Sequence, residues 1–296
     1  MKDGLIKLTA FIVGALLALM TIFNTLLGTR TSQEVSLIIN QVTGLVLLLL
    51  IMAAGRNNSF VRPKEGKLPW YLHFGGLFGI VLMLFNNLAV LGCGATVAMA
   101  ATVFGQCLTG LVFDCTGFMG MRRRPLTARK ALSLLVSFLG ILVMILFSKE
   151  AFSPLYVLLA MMGGVLFMTQ TVHNSFVAGY KGAFFSSTLN NAGGLIGILL
   201  LSFLARPEAT AGAFKALGSV SPLLIIAGGS IGILITVTCN TIIPKIPGAV
   251  SSLLISAGQI LAGIPLDYLL FHRFTPALLS GALIMVLGLL IDKDDG

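Results

Sequence analysis

Charge is scarce in this chain: Asp, Glu, Lys and Arg make up 10% of its 296 residues, against 57% hydrophobic residues. A soluble domain built from that composition would have too little polar surface to face water, so a polytopic membrane protein is implied. Strict apolar alternation is also missing from the long hydrophobic runs, which excludes a barrel of strands. Since lipid satisfies no exposed backbone group, those runs are helices. The four cysteines, Cys93, Cys107, Cys115 and Cys239, lack metal-like CxxC spacing, so they read as small packing residues with no redox or zinc role. No HExxH, nucleotide loop or pair of deep carboxylates occurs, and no cofactor is called for. One enzyme motif is present, GxSxG at Gly228 to Gly232 around Ser230. A hydrolase needs that motif on a strand-to-helix turn. Here it opens a predicted helix, its repeat partner Gly75 to Gly79 carries Leu77 instead of serine, and the glycines also fit GxxxG helix packing. An intramembrane serine hydrolase is therefore the least favoured function.

What the chain does have is a run of segments of about 20 apolar residues, each long enough to cross a bilayer. They predict ten membrane helices, near 5–28, 34–54, 69–90, 95–117, 128–148, 154–179, 184–205, 220–242, 248–270 and 274–291. Leu8 to Gly28 has no small-residue cleavage site and reads as the first helix rather than a leader. With the N-terminus inside, 14 of the 19 Lys and Arg residues fall in inner loops, so both termini are expected in the cytoplasm of a plasma (inner) membrane protein. Trp70 and Tyr71 then anchor the third helix at the inner interface, and Arg122 to Arg124 read as a topology signal. The net charge of +9 is explained by this asymmetry and by anionic headgroups, without a nucleic-acid partner.

The chain also repeats itself. Gly14 and Gly164, Asn24 and Asn174, Asn40 and Asn190, and Gly44 and Gly194 are each 150 residues apart. The offset then becomes 153 for Gly75 with Gly228, Gly76 with Gly229, Gly79 with Gly232 and Asn87 with Asn240. It is also 153 for the cassette GQCLTGLVFD (Gly105 to Asp114) and its echo GQILAGIPLD (Gly258 to Asp267), identical at five of ten positions. Two diverged five-helix units follow, residues 1–150 and 151–296. After an odd number of crossings the second copy enters from the opposite side, so the expected fold is an all-α integral membrane protein of ten transmembrane helices in two inverted repeats. That architecture belongs to secondary transporters, and it can also build a channel.

The NNLAVLGCG, GQ and D run after the glycine-rich third helix, with its echo in the second half, resembles the drug/metabolite transporter (DMT) superfamily, specifically its YdcZ-like branch. The resemblance covers nearly the whole chain and implies ten helices around a central cavity and export of metabolites or toxic compounds, with no substrate assigned. The chain departs from symmetry at Pro244 and Pro247, which match Leu91 and Gly94 before the fourth helix.

Depth sorts the polar residues. Gln106 and Gln259 each lie about 17 Å along their helices, near the expected midplane. They are the candidate substrate ligands, or else interhelical glue or a mutual pair. Asn24, Asn40 and Asn87 fall near outer helix ends and Asn174, Asn190 and Asn240 near inner ends, so the six are candidate gate residues or helix-end packing groups. Asp114 and Asp267 sit near opposite faces, where they are candidate proton carriers or partners of Arg122 and Arg273. His173, matched by Phe23, is a third candidate for proton coupling or a packing histidine. No charged residue lies in the middle of a predicted span, and the first helix lacks the central acid of small multidrug-resistance antiporters, so the expected cargo is a small neutral, zwitterionic or amphipathic molecule. A channel, a non-transporting lipid-binding scaffold and a homodimer stay open.

Overall fold

The computed structural model describes residues 3–54, 68–118, 123, 126–147, 153–205, 207–242, 248–271 and 276–291. Among them the regular structure is helical throughout, with no strand. The helices are α1 (Asp3–Arg30), α2 (Gln33–Ala53), α3 (Gly76–Cys93), α4 (Ala95–Thr116), α5 (Ala128–Phe147), α6 (Pro154–Lys181), α7 (Ala183–Ala205), α8 (Pro207–Lys215), α9 (Pro222–Ile242), α10 (Gly248–Phe271) and α11 (Pro276–Ile291). Eight described helices are long and apolar enough to cross a membrane, and shorter apolar helical stretches occupy Leu254–Leu269 and Leu279–Gly288. The short α8 was not foreseen. Its segment reads as a loop because it is too short and too polar to span a membrane.

Two glycines make sharp joints. Gly94 alone separates α3 from α4, and Gly182 alone separates α6 from α7, with φ of 78° and 91°. Both lie in the region that only glycine adopts without strain, so each helix can stop and the next begin one residue later.

The chain forms two compact units, and each draws on both sequence halves. The first comprises Met1–Leu19, Leu88–Met168 and Lys245–Gly296, and the second Met20–Asn87 and Thr169–Pro244. In the first unit α4 packs on α10 and α5 on α11. In the second α2 packs on both α7 and α9.

Membrane helices reverse the burial pattern of soluble ones, and α5 shows why its sequence makes it do so. Lys130, Ser133, Ser137, Gly140 and Met144 recur at helical spacing and are buried, while Leu132, Leu135, Leu139, Leu146 and Phe147 are exposed. The small and polar stripe lets backbones touch, since a β-carbon on Gly140 would press on the Gly281 carbonyl and one on Gly288 on the Ser137 amide. Apolar side chains gain nothing by leaving lipid, so packing and polar contacts hold such pairs together. Trp70 and Tyr71, in the short 3-10 helix Trp70–Phe74, are 76% and 58% exposed.

Candidate functional site

In the first unit the duplicated cassettes meet. Gln106 on α4 and Gln259 on α10 are buried, and the Gln106 Nε2 donates to Gln259 Oε1 at 3.3 Å. The residue before each glutamine is a glycine because a backbone lies against it. A β-carbon on Gly105 would strike the Met161 carbonyl of α6, and one on Gly258 the Phe11 carbonyl of α1. In return Gly164 of α6 abuts the Thr102 carbonyl of α4, and Gly14 of α1 abuts the Ile255 carbonyl of α10. The amide pair thus sits on two helices that are each clamped by a glycine-to-backbone contact on both partners.

The two aspartates of the cassettes have diverged in role. Asp267 of α10 closes the start of α4: its carboxylate accepts from the amides of Ala95 at 3.0 Å and Thr96 at 2.6 Å, and from the Thr96 hydroxyl. Amides in a helix's first turn have no intrahelical acceptor, so a carboxylate there satisfies them and suits the helix dipole. Asp114 instead faces Lys130 of α5, Nζ to Oδ2 3.3 Å, with both side chains buried. Lys130 was missed as a partner because a lysine near a predicted helix start reads as a topology signal. Its place in the buried 3- and 4-spaced stripe of α5 is the signal that finds it. Arg122 and Arg273, the partners expected for the aspartates, lie outside the described residues.

The second unit holds all six candidate gate asparagines and His173. Asn40 Nδ2 donates to Asn24 Oδ1 at 3.0 Å. The Ser36 hydroxyl donates to the Asn24 carbonyl at 2.6 Å, and 150 residues later the Ser186 hydroxyl donates to the Asn174 carbonyl at 2.7 Å. Asn174 Oδ1 faces His173 Nδ1 at 3.4 Å, and Asn190 Oδ1 accepts from Gln170 Nε2 at 2.7 Å. Asn240 Nδ2 donates to the Ser187 hydroxyl at 3.2 Å, whereas the Nδ2 of its counterpart Asn87 is buried without a partner. The repeat puts Leu37 where Ser187 stands, which removes the acceptor.

The glycines of the GxxxG pair in this unit seat side chains rather than bare backbone. Gly75 faces the His173 ring and Gly79 the Gln170 amide, while Gly228 faces Asn24 and Gly232 faces Met20. Ser230 lies within α9 and donates to the Ile226 carbonyl, so the hydrolase-like motif here is ordinary helix and not a nucleophile elbow.

Comparison with known proteins accords with these duplicated contacts. The family model described as "Putative inner membrane exporter, YdcZ" matches the chain twice, over residues 5–143 and 155–291. The chain belongs to the YdcZ family. This makes it a member of a family of inner-membrane exporters and not of an enzyme family. The two matches set one YdcZ unit in each half of the chain. No curated protein matches it. One crystal structure shares the fold at 20% identity with a TM-score of 0.61, covering 98% of this chain and 95% of that one.

Proposed function

We propose that the protein is a secondary transporter that exports a small neutral, zwitterionic or amphipathic molecule by alternating access, without ATP. The observation that carries this is the reciprocal contact set of the first unit: α1 of the first half clamps α10 of the second, and α6 of the second half clamps α4 of the first, at matching glycines. Contacts duplicated in this way support a ten-helix pair of inverted repeats, residues 1–150 and 151–296, whose halves exchange conformations so that access switches sides. Both termini are placed in the cytoplasm by the lysine and arginine bias.

Gln106 and Gln259 are the proposed cargo contacts. Their mutual hydrogen bond occupies one donor and one acceptor, and each amide retains further hydrogen-bonding capacity for a ligand. The asparagines of the second unit are the proposed gate groups, with Asp114, Asp267 and His173 as the titratable groups from which a coupling proton would be drawn.

The decisive experiment compares metabolites retained by cells with and without the protein, followed by flux of the identified compound in proteoliposomes. Saturable flux that responds to an opposing gradient is expected, with at least about a tenfold loss in Gln106→Ala and Gln259→Ala, the loss that roughly 1.4 kcal/mol produces. Ohmic, non-saturating current would instead identify a channel. Unchanged flux in both variants would remove the glutamines from the site.

A further inference from the structure

The second unit contains one helix corner twice, and its two copies pair their amides differently. The frame is common to both. Ser36 and Ser186, equivalent in the repeat, donate their hydroxyls to the carbonyls of Asn24 and Asn174 at 2.6 and 2.7 Å, so α1 is tied to α2 as α6 is tied to α7. On that frame Asn40 Nδ2 donates to Asn24 Oδ1 at 3.0 Å, whereas its counterpart Asn190 accepts from Gln170 Nε2 at 2.7 Å. Among the described residues Asn190 makes no hydrogen bond to Asn174. One asparagine has left the partner that its twin keeps.

The residue that draws it away is Gln170, which lies one turn before Asn174 on the same face of α6. The first half has Met20 at that position. The two side chains occupy equivalent places: Gln170 lies in the hollow left by Gly79, and Met20 in the hollow left by Gly232, its match in the repeat. Glutamine and methionine are similar in length, so hydrogen bonding is what separates them. A primary amide donates and accepts, and a thioether only accepts weakly.

Two identical halves that exchanged conformations would return the same energy, and the two access states would be equally populated. Any preference must come from equivalent positions that carry different residues. In the arrangement seen here both corners hold an amide–amide bond, Asn24 with Asn40 and Gln170 with Asn190. Exchange would set Asn190 on Asn174, as Asn40 now stands on Asn24, and turn Asn40 toward Met20, which offers no amide. The exchanged state keeps one such bond instead of two.

We propose that Gln170 sets the resting state of the transporter: by holding Asn190 away from Asn174 it favours the arrangement seen here over its exchanged counterpart. It is a positioning residue, acting through Asn190. This deepens the transport proposal by naming the residue that weights the two access states, and it rests on that proposal for there being two.

The test needs no cargo. With the four native cysteines replaced, Ser36→Cys and Ser186→Cys serve one at a time as reporters in the full chain; both positions are buried here, and they lie at opposite ends in the proposed topology. In lipid nanodiscs both faces meet a charged maleimide, so the ratio of the two labelling rates follows the ratio of the two open states. Gln170→Met removes a bond from the state seen here, and Met20→Gln supplies the bond missing from the other. Each should shift the ratio in the same direction by about fivefold, equivalent to roughly 1 kcal/mol. The variant carrying both exchanges the two side chains between the halves, and it should shift the ratio by about 25-fold and so reverse the preference. An unchanged ratio in Gln170→Met, single shifts of opposite sign, or a double variant shifted no further than the singles overturns the proposal. So does a rise in both rates at a constant ratio, which would mark Gln170 as a packing group. Those outcomes leave a positive flux experiment standing, and the expected shifts without flux would overturn transport alone.

Discussion

Lys130 and Asp114 show how much a single residue can carry in an apolar interior. Both side chains are buried at a separation of 3.3 Å, so neither has water to fall back on. Removing one partner of such a pair leaves an uncompensated buried charge, costing typically about 3–5 kcal/mol, whereas removing both is often close to neutral. Lys130→Met should therefore lower the thermal stability of the nanodisc-embedded protein sharply, and Lys130→Met with Asp114→Leu should recover most of the loss. If the double variant is as unstable as the single one, the pair is not the reason. Legibility in the sequence divided sharply at this scale. Buried amides in apolar runs announce themselves, so Gln106, Gln259 and the six asparagines were visible as expensive residues. Partners were not: the bond from Thr96 to Asp267 spans 171 residues, and no local pattern encodes which amide a carboxylate will find.

Among the helices, glycine placement rather than hydrophobicity decides which neighbours touch. Gly14 and Gly164 are equivalent in the repeat, and each faces a carbonyl of the helix that carries a cassette glutamine. Gly14→Leu and Gly164→Leu should each destabilise by about 1–3 kcal/mol, the usual cost of forcing bulk into a packed contact. The two losses should be similar, as read from thermal unfolding monitored by size-exclusion chromatography. A large loss in one variant with none in the other would mean that the two contacts are not equivalent. The constant 150- and 153-residue offsets were readable as repetition because glycine and amides are few enough to align. What α5 does with its lysine was hidden, because a polar stripe turned inward and a topology signal look alike until the exposed leucines on the other faces are seen.

At the level of the whole molecule, sequence halves and compact units are different partitions. The halves mark duplicated chain, whereas each unit is assembled from segments of both. That interleaving was not legible, since a repeat reveals equivalence and not partnership. The proposed gates belong to this scale. With the four native cysteines replaced, Asn24→Cys and Asn174→Cys should show opposite changes in labelling by a membrane-impermeant maleimide when cargo is supplied, one more reactive and the other less. Labelling of both sites that ignores cargo would leave the asparagines as packing groups only.

The interleaving also bears on how the protein is made. Helices leave the ribosome in order, and Met20–Asn87 with Thr169–Pro244 is complete in the nascent chain once α9 has emerged. The other unit is not. Until α10 is synthesised, Gln106 faces no Gln259, and the first amides of α4 wait for Asp267. Biosynthesis therefore passes through a stage in which α4 is inserted but unlatched. A ribosome stalled before residue 259 leaves Gln106 without Gln259 and the first amides of α4 without Asp267.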